Sequence, residues 1–458
     1  MEILFKSKSR ICLLRAALMA GLAGIILFIL WWTKLIWNPL PWLNPTSESG
    51  KGSQVVEALG EVEDGTVRFP GNLAIVQDGK LQILDGETGR LVQINADSRA
   101  VQPKWSPDGQ WLAYLIINPQ DQDTGTLWTV KRDGTEALPV NGLPEAVRYN
   151  SYKWSPVENV LAVCCQGVWL VDAQGQPKQV LKTGPNTNPD VAWSPDGQQI
   201  AYSLTLPYRQ EEVQNRSDAL YTLDIPTGRI VERLIAPAAG IWLINWWPDG
   251  KGLLYWEDPS HAASIAADGL ELCSLPLEAK KPFRFTAGLT DRSWFSLSSD
   301  NRLLRVAGTG REPWTNKWLE IGDIRTGTTV PVVIPPGSVP ADPVFSPAGR
   351  QIAFVTAPNL DSKEYPNAEK YKAWTSSFTL WVAHSDGSEA RILTPVASDV
   401  KQPQWSKDGQ YIMYAADNCL WIIDAEGNAS HKIAGPFSTS NDQANYYEGN
   451  GAWDWFKG

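Results

Sequence analysis

Histidine is scarce in this sequence. There are three copies, His261, His384 and His431, and they lie far apart along the chain. The sequence also lacks a Gly-x-Ser-x-Gly nucleophile elbow, a His-Glu-x-x-His zinc motif, a phosphate-binding loop and a dinucleotide-binding fingerprint. Most hydrolytic, metal-dependent and nucleotide-dependent mechanisms need one of these features. We therefore expect no enzyme, no catalytic residue, no cofactor and no metal ion.

Cysteine is also rare, with five copies that show no metal-ligand spacing. Cys164, Cys165, Cys273 and Cys419 fall in or beside predicted strands, so we interpret them as small buried hydrophobic residues. One acidic segment, from Asn118 to Gly125, has the Asp and Gly content of a calcium loop. A solvated turn explains that segment equally well, because it lacks the later bidentate glutamate.

Positive charge is in deficit, with 40 Lys and Arg against 50 Asp and Glu and a net charge of -10. The first 34 residues are basic and contribute a net +4, so about -14 remains on the rest of the chain. An acidic surface repels phosphate backbones, which argues against a nucleic-acid partner.

Tryptophan is abundant, with 23 copies, and many belong to a recurring turn motif, Trp-Ser-Pro-Asp-Gly. Complete copies begin at Trp105 and Trp193, and degraded copies begin at Trp154, Trp246, Phe345 and Trp405, with an eroded copy at Phe295. In this motif Pro fixes φ, Asp bonds its own backbone and Gly accepts a positive φ, so each copy predicts a β-hairpin. We expect most of these tryptophans to pack between repeats rather than to stack on a ligand.

A second hairpin follows each copy, for example after Leu127, Leu220 and Leu380. Four short strands in each period of about 40 to 50 residues are typical of a propeller blade. The motif resembles the TolB-type propeller repeat, found in TolB and in the propeller domains of prolyl oligopeptidase relatives. This resemblance extends over residues 69–456 and implies an all-β propeller, while it says little about function.

The repeat count predicts eight blades, with seven as the alternative if the copy at Phe295 is only an insertion. The first repeat, starting at Asn72, has three strands and no inner one, while Trp453 lies in an apolar segment that no further strand follows. Propellers commonly complete the first blade with a strand from the other terminus. We therefore expect the Trp453 segment to form the inner strand of the first blade.

The amino-terminal region contains 18 consecutive uncharged residues, 16–33. As a helix they would span about 27 Å, enough for a hydrocarbon core. We expect a cytoplasmic basic leader at residues 1–15, a transmembrane helix at 16–33, a linker at 34–68 and a propeller at 69–458 on the periplasmic side. A cleaved signal peptide is the alternative, although no small-residue cleavage site follows the apolar run.

Long connections between the second and third strands are predicted in four consecutive blades, at residues 207–219, 257–269, 308–317 and 357–377. Loops of this kind on a rigid scaffold often carry recognition, so we expect them to bind an envelope protein. Glycan or small-ligand binding on the same loops or in the central channel is the alternative, and the loops could also simply pack on each other. The predicted contact residues are Tyr208, Arg209, Arg311, Trp314, Tyr365, Tyr371 and Trp374.

Overall fold

The structure is a computed structural model that describes residues 57–61, 67–94, 99–118, 120–184, 189–208, 215–259, 261–279, 281–361, 364–394, 399–437 and 452–458. The predicted leader and transmembrane helix lie outside these residues. Among the described helices, none has the length and apolar character needed to cross a membrane.

Eight antiparallel sheets make up the described part of the chain, and each forms one blade of a propeller. Blade 1 contains β1 (Glu57–Glu61), β2 (Asn72–Gln77), β3 (Lys80–Asp85), β4 (Arg90–Gln93) and β34 (Trp453–Phe456). Blade 2 contains β5 (Ala100–Trp105), β6 (Trp111–Asn118), β7 (Asp121–Lys131), β8 (Leu138–Pro139) and β9 (Val147–Arg148). Blade 3 contains β10 (Tyr152–Trp154), β11 (Val160–Cys164), β12 (Gly167–Asp172) and β13 (Pro177–Lys182). Blade 4 contains β14 (Asp190–Trp193), β15 (Gln199–Thr205), β16 (Asp218–Asp224) and β17 (Ile230–Ala236).

The second half of the ring repeats this four-stranded plan. Blade 5 contains β18 (Ala239–Trp246), β19 (Gly252–Pro259), β20 (Leu270–Pro276) and β21 (Phe283–Gly288), with helix α1 (Ala263–Asp268) in its long loop. Blade 6 contains β22 (Phe295–Leu297), β23 (Arg302–Ala307), β24 (Trp318–Asp323) and β25 (Thr328–Pro331), after a 3-10 helix (Arg292–Trp294). Blade 7 contains β26 (Ser338–Phe345), β27 (Gln351–Pro358), β28 (Thr379–His384) and β29 (Arg391–Ile392), with helix α2 (Ala368–Thr375). Blade 8 contains β30 (Lys401–Trp405), β31 (Tyr411–Ala416), β32 (Cys419–Asp424) and β33 (Ser430–Ala434).

Both predictions about the ring are confirmed. The eroded copy at Phe295 begins a complete blade, so the count is eight rather than seven. The carboxyl-terminal strand β34 pairs with β2, and Leu73 lies opposite Trp455, as expected for a first blade completed by the other terminus. The fifth strand β1 was not predicted. It pairs with β4 at the outer edge of blade 1 and falls within the segment expected to be a linker.

The serine and aspartate of the motif close the turn through side-chain hydrogen bonds. In blade 2 the Ser106 hydroxyl donates to Asp108 Oδ1 at 2.7 Å and accepts from the Trp111 N–H at 3.0 Å. Gly109 has φ of 66° and faces the Phe456 ring, which lies only 2.3 Å from where a Cβ would stand. The same serine bonds recur in blade 4 at Ser194 and in blade 8 at Ser406.

Four motif tryptophans, in blades 2 to 5, join their blade to the one before it. Each indole N–H donates to the carbonyl that immediately precedes the equivalent tryptophan of the previous blade, and these bonds run from Trp105 to Asp454 O (3.1 Å), Trp154 to Lys104 O (2.8 Å), Trp193 to Lys153 O (3.0 Å) and Trp246 to Ala192 O (2.9 Å). We call this row the indole chain. It supports the interpretation that the motif tryptophans pack between repeats.

The hydrophobic core lies between the blades rather than at the centre of the ring. One cluster brings Ala74 and Ile83 of blade 1 against Leu112 and Tyr114 of blade 2. Another closes the ring by packing Met413 and the other buried apolar side chains of blade 8 against blade 1. Each sheet therefore buries both faces, as the apolar runs in the strands require. The described cysteines are buried free thiols, which agrees with their interpretation as hydrophobic residues.

We predict that replacing Trp193 with Phe lowers the free energy of unfolding by about 1 kcal/mol more than replacing Trp405 with Phe. Both side chains are buried, but in the described structure the Trp405 indole N–H has no acceptor, whereas that of Trp193 bonds to Lys153 O. Both substitutions remove similar ring volume, so their difference reports the hydrogen bond. Denaturant unfolding measures it, and equal losses would contradict a stabilising indole chain.

Candidate functional site

The long loops lie on one rim of the propeller. In a four-stranded antiparallel blade the second-to-third connection leaves the sheet at the end opposite the two tight hairpin turns. In blades 4, 5, 6 and 7 these connections run over residues 206–217, 260–269, 308–317 and 359–378, while in blades 1, 3 and 8 they are tight turns. We call the described residues of these four long connections the half-crown.

Hydrogen bonds link the neighbouring loops of the half-crown to one another. His261 Nε2 lies 3.0 Å from Arg216 O and so joins the loops of blades 5 and 4. The guanidinium of Arg311 donates to Asp268 Oδ1 at 2.7 Å and joins the loops of blades 6 and 5. Leu360 N–H donates to Trp314 O at 3.0 Å and joins the loops of blades 7 and 6. The half-crown is therefore one continuous surface rather than four separate loops.

An aromatic cluster anchors the loops of blades 6 and 7. The ring of Trp314 lies 4.9 Å from Tyr365, 6.1 Å from Tyr371 and 6.2 Å from Trp374, each nearly edge-on, and Trp374 also packs on Phe378. Trp374 Nε1 donates to Pro358 O at 2.9 Å. Helix α2 positions Tyr371 and Trp374 and is capped by the Asn367 side chain.

This cluster corrects two of the predicted contact residues. Trp314 and Trp374 are only 1% and 3% exposed, so they have almost no surface with which to contact a partner or a sugar ring. Their burial follows from their place at the centre of the cluster, where they hold the two loops together. Trp314 and Trp374 thus pack between the loops, as the alternative interpretation expects.

The other predicted contact residues differ in exposure. Tyr208 is 48% and Tyr365 is 68% exposed, and the Arg311 side chain is 44% exposed. Tyr371 is half-buried, and burial beside Tyr365 raises the pKa of its phenol. Arg209 lies outside the described residues.

Electrostatics fix the shape of the blade 6 loop. Lys317 is buried, and its ammonium donates to the carbonyls of Thr309, Gly310 and Thr315 at 3.3, 3.0 and 3.2 Å. Burial lowers the pKa of Lys317 to about 8, so the ammonium form still predominates at neutral pH. At the surface, the hydrogen bond from Arg311 lowers the pKa of Asp268 and raises that of Arg311.

The structure also reveals an acid pair that the sequence analysis missed. Asp291 and Asp342 are 7% and 6% exposed, and the Ser293 hydroxyl lies 2.9 and 2.8 Å from one oxygen of each. A hydroxyl donates one hydrogen, so both contacts become hydrogen bonds only when one carboxyl group keeps a proton. Burial, and then the charge of Asp342, raises the pKa of Asp291 to about 7.

The acid pair joins three blades near their inner strands. Asp291 precedes blade 6, Asp342 lies in β26 of blade 7, and the Gln402 N–H of blade 8 donates to Asp342 Oδ2 at 2.8 Å. Burial raises the pKa of Asp342, although Lys401 and this hydrogen bond oppose the shift. Asp342 precedes a proline, as Gln102 and Gln402 do in blades 2 and 8, and all three residues have positive φ. The sequence repeat therefore marks the position of Asp342, but it does not predict that Asp342 pairs with Asp291.

Within the described residues, no group of three or more His, Cys, Asp or Glu side chains is placed to hold a metal ion. The acidic segment spans the end of β6 and the start of β7, where Asp121 accepts from the Asp123 N–H and from the Thr124 hydroxyl. Both aspartates are exposed.

Comparison with known proteins shows only the fold that this chain shares with them. The sequence matches no protein-family model and no curated protein. Its structural neighbours include TolB. The TolB of Acinetobacter baumannii is 16% identical, with 79% of this chain and 62% of that chain covered and a TM-score of 0.32. Dipeptidyl peptidase 4 of Porphyromonas gingivalis is 8% identical, with 83% and 59% covered and a TM-score of 0.56. A eukaryotic initiation factor is 16% identical, with 83% and 90% covered and a TM-score of 0.51.

This chain thus spans less than two thirds of the TolB and dipeptidyl peptidase chains to which it is compared. At these identities the similarity shows a shared propeller architecture. It does not show a shared function, because one fold serves many unrelated functions. The TM-score with TolB is too low for residue-by-residue comparison.

The acid pair predicts a pH dependence of stability. The folded chain holds the Asp291 proton more tightly than the unfolded chain, so the contribution of Asp291 to the free energy of unfolding falls as pH rises from about 4 to 7, by at most about 4 kcal/mol. Asp291→Asn should remove this fall, as measured by denaturant unfolding over that range. Asp300→Asn, at an exposed aspartate of blade 6, should leave the fall in place. An unchanged profile in Asp291→Asn would contradict the shared proton.

Proposed function

We propose that this protein is a non-enzymatic binding protein, held at the membrane by its amino-terminal segment, whose propeller captures an envelope protein on the extracytoplasmic side. The observation that carries the proposal is the continuity of the half-crown over four consecutive blades. Four adjoining loops that bond to each other present one broad surface, as a protein partner requires.

The half-crown is held in shape before any partner arrives. Its loops are fixed by the Arg311–Asp268 ion pair, the carbonyl cage around Lys317 and the aromatic cluster. A loop that is already ordered loses little conformational freedom on binding, so more of the contact energy remains as affinity. The burial of Trp314 and Trp374 therefore supports recognition indirectly, by positioning their neighbours.

The exposed chemistry of the half-crown suits a protein surface. Tyr208 and Tyr365 present aromatic groups, Ile265 of α1 is 43% exposed, and Arg311 adds an exposed guanidinium. Tyrosine and arginine are enriched at the centres of protein interfaces. The absence of an established catalytic motif in the sequence and the separation of the three histidines in blades 5, 7 and 8 favour binding over catalysis.

The membrane location rests on the sequence. The uncharged run at residues 16–33 follows a basic leader, which by the positive-inside rule favours an amino terminus in the cytoplasm and a propeller on the other side. An acidic propeller also disfavours a nucleic-acid partner. An envelope protein is the partner class that fits this location.

Two arginines of blade 6 offer a matched test of the proposal. Arg311 lies in the half-crown and pairs with Asp268, while Arg325 lies in the tight turn on the opposite rim and pairs with Asp323. Arg311→Glu combined with Tyr365→Ala should lower the yield of cross-linked partner in membranes by about tenfold or more, the cost of losing two central interface residues. Arg325→Glu should leave the yield unchanged.

Cross-linking of the full chain in its native membranes, with mass spectrometry of the products, measures this yield. Thermal unfolding of each variant controls for loss of fold. Equal cross-linking in the Arg311→Glu, Tyr365→Ala protein and in the parent chain would contradict the half-crown as the binding surface. Equal losses in both arginine variants would point to another surface.

A further inference from the structure

A cavity of about 500 Å³ opens where the half-crown loops of blades 4 and 5 meet. Arg216 contributes from the loop of blade 4, Trp242 from the inner strand β18, Asp258 and His261 from the end of β19 and the loop after it, and Thr290 from the connection into blade 6. This volume falls within the range of about 300 to 1,000 Å³ that is usual for small-ligand sites. The sequence did not predict that these residues converge on one cavity.

One wall of the cavity is apolar. Trp242 is partly exposed there, and Ala263, Ala266 and Ala267 line the side formed by α1. Positions three and four apart lie on one face of a helix, so these alanines form a single flat surface. Larger side chains at the same positions would fill the space beside the indole.

The other wall is polar and carries both hydrogen-bond donors and hydrogen-bond acceptors. Asp258 is 4% exposed, and among described residues its side chain accepts only the Ala262 N–H, at 3.1 Å, which leaves acceptor capacity on the carboxylate. Thr290 adds a hydroxyl that can donate or accept. Arg216 adds a positive charge, so the lining carries one group of each sign.

The His261 ring is held in one orientation. Its Nε2 lies 3.0 Å from Arg216 O, and a carbonyl only accepts, so the neutral ring carries its proton on Nε2. The ring lies over Gly240, where a Cβ would stand 2.9 Å from Nδ1. The cavity wall therefore depends on glycine at position 240.

From this arrangement we infer that the cavity binds a neutral saccharide ring, with its C–H face on Trp242 and its hydroxyls on Asp258 and Thr290. A phosphate or carboxylate ligand would meet the Asp258 carboxylate, and a simple cation would meet Arg216. A polyhydroxylated ring satisfies donors and acceptors of both kinds and presents an apolar face to an indole. This inference is independent of the proposed protein partner.

Saturation-transfer NMR on the purified full chain tests the inference, in a detergent without sugar head groups. The probes are methyl β-glucoside and N-acetylglucosamine as single rings, and cellobiose and chitobiose as the ends of longer glycans. Inorganic phosphate and tetramethylammonium serve as charged probes. We expect saturation of at least one saccharide, and stronger saturation of its disaccharide would identify a glycan rather than a free sugar as the source.

The variants are chosen on the two sides of helix α1. Ala267→Phe fills the cavity and should weaken saccharide binding about tenfold or more, whereas Ile265→Phe lies on the same helix but does not line the cavity and should bind as the parent does. Asp258→Asn, which keeps the acceptor for Ala262, should also weaken binding. The Tyr365→Ala protein, altered only in the loop of blade 7, should bind saccharide normally, which separates this site from the protein-binding proposal.

Three outcomes would overturn the inference. They are the absence of saturation of every saccharide by the parent chain at millimolar concentration, preferential binding of a charged probe, and equal saccharide binding by Ala267→Phe and Ile265→Phe. Thermal unfolding of each variant checks that the propeller is intact.

Discussion

The hydrogen bond from each motif indole to the carbonyl of the preceding blade is the interaction on which the first five blades depend. Among the described residues neighbouring blades share no strand and no backbone ladder, so their register comes from apolar packing, side-chain hydrogen bonds and a few single backbone hydrogen bonds such as Ala100 N–H to Gly79 O. Because the donor of one blade and the acceptor of the previous blade lie at equivalent positions, the same bond repeats from blade 2 to blade 5. Trp105 takes its acceptor from Asp454, so the indole chain also fixes the carboxyl-terminal strand.

The rigidity of this ring allows the half-crown to be elaborate. The tight turns use Ser, Asp and Gly to close each hairpin locally, which keeps one rim short. Loops on the other rim contribute nothing to the indole chain and can lengthen without breaking it. The tryptophans that do occur in these loops, Trp314 and Trp374, hold loop to loop rather than blade to blade.

The sequence predicted the features that recur in every blade, but not the contacts between residues that are far apart in the chain. The blade count, the closure by the Trp453 segment and the position of the long loops each follow from the spacing of a local motif. Asp291 pairs with Asp342, and Trp242, Asp258 and Thr290 line one cavity. These residues come from different strands or blades, and a sequence repeat does not encode the distances between them. The burial of Trp314 was also hidden, because an aromatic residue in a long loop has the same sequence signature whether it faces solvent or a neighbouring loop.

Blades 6 to 8 lack the indole chain, and polar side chains replace it. Phe295 and Phe345 stand where the motif has tryptophan, and here the Phe345 N–H donates to Ser296 Oγ while Asp342 accepts from Ser293 and Gln402. An indole bond does not titrate, whereas the acid pair holds a proton with a pKa for Asp291 of about 7. Indole hydrogen bonds thus link blades 1 to 5, whereas proton occupancy of the acid pair contributes to the contacts among blades 6, 7 and 8. We therefore expect the contacts among blades 6, 7 and 8 to weaken as pH rises from about 4 to 7, and the indole chain to keep its strength over that range.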